Sequence, residues 1–562
     1  MTACCPRTNH TVSTAQNGSP AGVPIRSVGG AYSRPTGCES DECLEQIDAV
    51  FGGGGEVGTA DVVSLQCVTA DDGKAYFEAS YLDMHSPIRR GISLRRKYEI
   101  QDSGGPMPTP NGGTSSRFWG RPAPGEVSIR HWLEEMETIG PGLQAVMQWS
   151  QLVIESAQGA ELIDADGHRI IDLMGAAGVN SIGHANSRLN AALTAELARA
   201  PIGAFGTQAR LDMVRSLRYL LPKNLDQVQL YSGGAEAVEA SLRLAKSITG
   251  KHEFLGFWGG FHGKTLGALA LTSGARSNLG PLPTGFFTTP YANCFRCPFK
   301  LTYPQCGFAC VDHARDVVKQ NSTGALAAIV VEPVQGRSGN VVPPRGYLAA
   351  LADLAHEFDA VLICDEMMTG FGRTGSVFAF QQDDIEPEIV TIGKGMGGGY
   401  PVSGVLASKA SMDNTPFREP SASSSSFGGF PLACRAVATT AEIITADNLA
   451  DRAAIVGAKI LSVLSPLVDE APLVGDVRGL GLAIGIELVT DKQTRIPIPN
   501  QAVRFVFDNL LRAGVLTMVG GNTLRLYPPL TISEDVAVAA AEIIVDVLAD
   551  LTIGQMPQGG AL

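Results

Sequence analysis

From about residue 140 onward, short apolar runs alternate with stretches whose apolar positions recur every three or four residues. "ELIDADGHRIIDL" reads as a hairpin, "AEAVEASLRLAKSI" as an amphipathic helix, and "HEFLGFWG" and "ALAAIVVEP" as strands. "GYLAALADLAHEF" has helical spacing again, and "AVLICDE" is a short apolar run of the kind that forms a strand buried on both faces. Short apolar strands separated by helices predict an α/β fold, with a mostly parallel central sheet flanked by helices. After about residue 440, "LADRAAIVGAKILSVLSPLV", "GLGLAIGIELV" and "TISEDVAVAAAEIIVDVLADL" suggest a smaller α+β domain.

The first 120 residues have a different texture. "TNHTVSTAQNGSPAGVPIRSVGGAYSRPTG" and "QDSGGPMPTPNGGTSSRFWG" are polar, Pro/Gly/Ser-rich and linker-like. Between them, "DVVSLQCVTADDGKAYFEASYL" reads as a hairpin around "DDGK". "FGGGGEVG" formally satisfies G-x-G-x-x-G through Gly53, Gly55 and Gly58, but a strand-like run follows where a nucleotide motif must open a helix. The expected organisation is an appended extension over 1–120, partly disordered or a small β element. The N-terminal part of the small domain follows over 121–200, then a large domain over 201–440 and the rest of the small domain over 441–562.

With 44% hydrophobic and 18% charged residues, 562 residues suffice for a large core and more than one domain. A net charge of -13 and the lack of a basic cluster argue against nucleic acid as a partner. No run approaches the ~18 apolar residues of a membrane span, and the start lacks the apolar core of a secretory signal, so a cytoplasmic location is expected. Eleven cysteines are too few for a disulfide scaffold at this length.

Composition leaves small molecules as partners, and one segment shows the chemistry. "TIGKGMGGGYPVSGV" sets Lys394 among glycines. A phosphate loop would need glycine at position 388 and a hydroxyl after the lysine; the chain has Glu388 and Gly395, so that reading fails. The remaining reading is a lysine that reacts covalently, with glycines clearing space around it. Other residues fit that chemistry. In "YSGGAEAVEASLRLAK", Gly233, Gly234 and Ala235 open a helix, where free N–H groups and the helix dipole make an anion site. "AVLICDEMMTGFGRTG" ends a buried strand with Asp365 and Glu366, and a carboxylate at that depth needs a cationic or hydrogen-bonded partner. "GFHGKTLGALALT" adds Phe261 and His262 after another strand. Lysine, buried carboxylate, aromatic face and helix-end phosphate site together fit pyridoxal 5'-phosphate, with Lys394 as the Schiff-base residue.

Residues from about 145 to 550 resemble the class III (ω-type) aminotransferases, pyridoxal-phosphate enzymes of fold type I. The resemblance is carried by "GAEAVE", "FHGKT", "VVEPVQG", "ICDEMMTGFGRTG", "IGKGMGGGYPVSG", "SSFGGFPLA" and "LRLYPPLTIS", in the family's order. It implies that Lys394 binds the cofactor and then carries the proton between the substrate Cα and the cofactor, and that Asp365 pairs with the pyridinium nitrogen. Phe261 would stack on the ring, and Gly234 and Ala235 would hold the phosphate. The implied cofactor-contacting set also takes in Gly233, His262, Glu332, Met367 and Met368. Ser426 would reach the phosphate from a partner subunit, which makes a homodimer with shared active sites the minimum unit. Arg525 matches the arginine that binds a substrate carboxylate, and the partners implied are an amino donor and a carbonyl acceptor, a 2-oxo acid or an aldehyde.

Three positions depart from the family pattern. Many relatives carry a glutamate that covers the carboxylate-binding arginine where this chain has Arg337. Its absence favours an amino acid substrate with an α-carboxylate or two acidic ends, Arg337 either reading a further anionic group or pointing to solvent. Met368 replaces a common glutamine, and Phe430 replaces an asparagine. These departures keep open an alternative to amino transfer: racemisation or epimerisation, decarboxylation, or β/γ-replacement on the same fold. Finally, Cys294, Cys297, Cys306 and Cys310 are spaced C-x2-C-x8-C-x3-C. The pattern could hold zinc or an iron–sulfur cluster, but its central loop is short for common zinc sites, and the expected site contains no metal.

Overall fold

The computed structural model describes residues 124–552 and 554, apart from 141, 143, 200, 201, 275, 277, 278 and 550, together with the backbone of three strands nearer the N-terminus. The chain divides into two compact units, 1–109 and 110–562. In the first, Val62–Thr69, Ala75–Tyr81 and Tyr98–Glu99 form an antiparallel sheet in that order, and its first two strands are the hairpin expected around "DDGK". The glycines of "FGGGGEVG" lie outside the described residues.

The second unit is built on a seven-stranded sheet, in the order 227–231, 403–407, 389–392, 361–365, 326–331, 253–257, 286–289. All neighbours are parallel except those of Ser403–Ala407, which runs antiparallel to both of its own, so the expected mostly parallel sheet is present. Every residue of Leu326–Val331 and Val361–Asp365 is buried, as apolar runs covered by helices on both faces require. Helix Gly234–Thr249, amphipathic by pattern, buries Ala237, Val238, Ala240, Ser241, Leu242, Leu244 and Ala245 against this sheet.

A second, antiparallel sheet takes Val474–Leu480, Ala483–Asp491, Thr523–Leu526 and Met518–Gly520 in that order. A third joins the two ends of the unit: Val515 and Leu516 pair in parallel with Ile171 and Asp172 of the hairpin Glu161–Asp164/Arg169–Asp172. The hairpin turn is organised by Asp164, whose Oδ1 accepts the N–H groups of Asp166 and His168 at 3.0 and 2.7 Å.

Five strands of the large sheet direct the site. Gly233 follows 227–231, Phe261 and His262 follow 253–257, Glu332 follows 326–331, Asp365 ends 361–365, and Lys394 follows 389–392. Parallel strands present their carboxyl ends on one edge, so residues widely separated in sequence converge there.

Candidate active site

Asp365 and Thr391 are register partners on adjacent parallel strands. Thr391 Oγ1 donates to Asp365 Oδ1 at 2.9 Å, as does the Met367 N–H at 3.1 Å, while His262 Nδ1 lies 2.7 Å from Oδ2. Asp365 is only 3% exposed, and burial alone would raise its pKa. The His262 hydrogen bond and charge, with help from Lys394 and the Met367 N–H, outweigh that and hold the carboxyl below its ordinary range. Burial likewise opposes the charged form of His262, and the hydrogen bond and charge of Asp365, with Glu332, raise its pKa instead. The pair therefore fixes a negative charge at the end of the strand.

Lys394 opens a single 3-10 turn with φ of +42°. The glycines around it are places of close approach. A Cβ on Gly393 would lie 2.6 Å from Met367 Sδ, and one on Gly398, at φ of +57°, would lie 2.6 Å from Thr440 Oγ1. Ser181 Oγ donates to Gly395 O at 2.6 Å, fastening the turn to a segment 214 residues away in sequence. Burial lowers the pKa of Lys394, Asp365 and Glu332 pull it back up, and Arg525 adds to the lowering. The net downward shift moves the amine toward its nucleophilic form.

Glu332 is buried and accepts the N–H groups of Phe261 at 2.9 Å and Gly336 at 3.1 Å. Burial pushes its pKa up to about 7. Phe261 is half-buried, with the Arg337 guanidinium 5.1 Å from the centre of its ring; Arg337 itself is exposed. Arg525, in strand Thr523–Leu526, is 4% exposed. It donates through Nη1 to Gly336 O at 3.2 Å and through Nη2 to Val519 O at 2.9 Å, while its buried Nε has no partner. Among the described residues no carboxylate forms an ion pair with Arg525, so a buried cation is left without an anion.

The helix beginning at Gly234 supplies the anion site. Glu236 accepts the Ser232 and Gly233 N–H groups at 3.1 and 3.4 Å, whereas Gly234 and Ala235, in the first turn, have N–H groups with no intrahelical acceptor. A Cβ on Gly234 would sit 3.3 Å from Met367 Sδ, and one on Gly263 only 2.6 Å from the Ala235 Cβ. The helix end, Asp365 and Lys394 thus meet around the glycine-lined edge. These residues fit pyridoxal phosphate: a helix-end donor set for the phosphate, an ionised carboxylate for the ring nitrogen and an amine for the aldehyde carbon.

Ser426 and Met368 have other surroundings. Ser426 is exposed and, among the described residues, no hydrogen bond joins it to this set. Met368 packs beside the segment that Glu332 and Arg525 bond, its Sδ 2.9 Å from a Cβ position on Gly178 and its Cγ 3.1 Å from one on Gly336. The sequence reading missed Thr391, Ser181 and Tyr527, whose hydroxyl donates to Gly336 O at 3.2 Å. Only Thr391 left a signal, as the polar residue in the otherwise apolar strand "IVTI".

The four spaced cysteines line one small cavity with Phe299, Tyr303 and Phe308. Burial raises the thiol of Cys294 and pushes that of Cys310 to about 11. Among the described residues no group of three or more His, Cys, Asp or Glu side chains is arranged to hold a metal ion.

The family profile described as Aminotransferase class-III matches residues 144–548. An acetylornithine aminotransferase from Methanothermobacter thermautotrophicus is 34% identical over 405 residues, 71% of this chain and 94% of that protein. A putrescine aminotransferase from Pectobacterium atrosepticum is 35% identical over 411 residues, 70% of this chain and 82% of that protein. Among solved structures, a pyridoxal-phosphate-bound amine transaminase from an uncultivated Pseudomonas species superimposes with a TM-score of 0.69 at 30% identity, over 73% of this chain and 97% of its own. An (S)-enantioselective omega-transaminase from Thermomicrobium roseum gives a TM-score of 0.71 at 29% identity, over 75% and 98%. The chain belongs to the class III aminotransferases, pyridoxal-phosphate-dependent transferases of fold type I.

Proposed function

We propose that this aminotransferase takes an amino acid through its α-carboxylate and passes the amino group to a 2-oxo acid or an aldehyde, acting as a cytoplasmic homodimer. The observation that carries the substrate reading is Arg525, a buried guanidinium near Lys394 with an unpartnered Nε and no protein carboxylate. A substrate carboxylate would supply the missing anion. Relatives named for acetylornithine and putrescine differ on this point, since one name denotes an amino acid and the other a diamine.

Bound pyridoxal phosphate supplies an electron sink conjugated to the substrate nitrogen. The N–H groups of Gly234 and Ala235 would hold its phosphate, Phe261 would cover its ring, and Asp365, kept ionised by His262, would keep the ring nitrogen protonated. Lys394 Nζ, with its lowered pKa, would take the proton from the substrate Cα and return it. Arg525 would hold the α-carboxylate so that the Cα–H bond faces that amine.

The dimer reading draws on exposed apolar side chains beside Ser426. Ile202, Phe205 and Phe427 are 52%, 66% and 67% exposed, and Arg210 Nη2 ties their segments together through Gly203 O and Gly429 O, both at 3.1 Å.

The test is to add single amino acids, then amines without a carboxylate, to the holoenzyme, following the cofactor absorbance and identifying the keto product by mass. Transfer from α-amino acids, lost in Arg525→Ala while transfer from simple amines survives, supports the reading. Equal losses for both donor classes would overturn the carboxylate assignment. Borohydride treatment should leave the cofactor mass on the peptide containing Lys394.

A further inference from the structure

Arg478, Gly485 and Arg525 lie in one row across three adjacent strands: Arg478 is the register partner of Gly485, and Gly485 is the register partner of Arg525. Partners on antiparallel strands project from the same face, so the two arginines flank a glycine. Segment 336–340, which carries Arg337, crosses this row. Arg525 Nη1 donates to Gly336 O at 3.2 Å at one end, and Arg478 Nε donates to Gly339 O at 3.0 Å at the other. The carbonyl of Gly339 reaches the sheet because position 485 has no side chain; a Cβ there would lie 2.2 Å from it. Asn340 Nδ2 adds a bond to Ile484 O at 2.7 Å.

Of the remaining donors of Arg478, Nη1 is fixed in turn, while the buried Nη2 has no partner. Nη1 bonds Asp476 Oδ2 and Glu487 Oε2, each at 2.6 Å. Glu487 is 2% exposed and also takes Arg296 Nε, so a charge chain Arg296–Glu487–Arg478 aims one guanidinium at Gly339 O. Its orientation leaves little freedom.

We propose that Arg478 is a positioning residue for the α-carboxylate pocket: by holding Gly339 O it sets the 336–340 wall against Arg525 and so places the orphaned Arg525 Nε for its anion. The inference rests on the reading of Arg525 given above. Arg525 spends one Nη on the same wall, so a wall displaced at Gly339 moves the Gly336 carbonyl that orients it. A shift of about 1 Å in a substrate-orienting group costs up to roughly a hundredfold.

The experiment compares the holoenzyme with Arg478→Ala, Glu487→Gln and Gly485→Ala, the last displacing Gly339 O without removing any charge. The readouts are kcat and KM for an α-amino acid and for an amine lacking a carboxylate, and amide hydrogen exchange across 336–340. Expected are a KM for the amino acid raised about tenfold to a hundredfold in Arg478→Ala, kcat within about threefold, an unchanged amine KM and faster exchange confined to 336–340. Gly485→Ala should do the same, with Glu487→Gln intermediate. Equal changes in both KM values, or unchanged exchange at 336–340 in folded variants, would overturn the proposal. If the wild type accepts only amines, the carboxylate reading fails, and the proposal for Arg478 fails with it. Should Arg478→Ala not fold, the same two readouts in Gly485→Ala and Glu487→Gln decide between support and refutation.

Discussion

His262 Nδ1 lies 2.7 Å from Asp365 Oδ2, and both side chains are almost wholly buried. Removing the imidazole would leave burial, the largest influence on Asp365, opposed by Lys394, the Met367 N–H and the Thr391 hydroxyl. His262→Phe, which keeps bulk but not the donor, should therefore raise the Asp365 pKa. A hydrogen bond to a buried charge contributes about 1.5–3 kcal/mol, so kcat should fall roughly ten- to a hundredfold. A pH titration of the bound-cofactor spectrum checks the cause: a transition should enter the measurable range in the variant. An unchanged kcat would show that Thr391 and Met367 suffice.

Glu332 has the opposite shift, upward to about 7, caused chiefly by burial. Its unfolded value lies near 4.3. Between these pH values the folded chain keeps a proton that the unfolded chain has released, so wild-type stability should decline from about pH 4.3 to 7 and level off above. Glu332→Gln cannot ionise and should lack that slope. Its thermal midpoint should gain on the wild type across this window, reaching on the order of 3 kcal/mol in stability by pH 7. Parallel curves for the two proteins, from calorimetry at several pH values, would rule this out.

How far the sequence could be read depended on whether a residue's role lies in its own strand or across the fold. Asp365 was legible as a carboxylate ending a short apolar run and Lys394 as a lysine among glycines, whereas Glu332 came only with the family resemblance; parallel strands bring such strand ends together without further information. The partners that tune them were not. Thr391 meets Asp365 through strand register, and Ser181 reaches Gly395 from 214 residues away. Gly485 looks like any glycine in "GLGLAIGIELV" until Gly339 O is seen above it. Arg337 was legible as a departure from the family pattern, but its place over Phe261 was not.

Gly457 shows the same limit in the stability of the fold. It sits within helix Leu449–Leu464, where propensity alone says that alanine would be better by about 1 kcal/mol. Yet a Cβ there would lie 2.0 Å from Gly481 O, a backbone atom in a turn with φ of +56°. Overpacking against a backbone that cannot step aside costs about 1–3 kcal/mol or more, which exceeds the propensity gain. Gly457→Ala should therefore lower the urea midpoint, and a rise would mean that the helix can slide away from the turn.

The shared-site reading can be tested by mixing two inactive chains. If Ser426 serves the partner's cofactor phosphate, Lys394→Ala spoils one site through its lysine, while Ser426→Asp spoils the other chain's site by placing a carboxylate beside the phosphate. In a two-fold dimer each hybrid then contains one site with both defects and one with neither. Random reassortment makes about half of the dimers hybrids with one working site, so roughly a quarter of wild-type activity should return after unfolding and refolding the mixture. A chain that uses its own Ser426 would give no recovery, because every site would keep a defect. Phe427→Asp, which puts a charge on the exposed apolar surface beside Ser426, should weaken association in sedimentation experiments and lower activity in parallel. A monomer that retained full activity would remove both the dimer and the shared phosphate site.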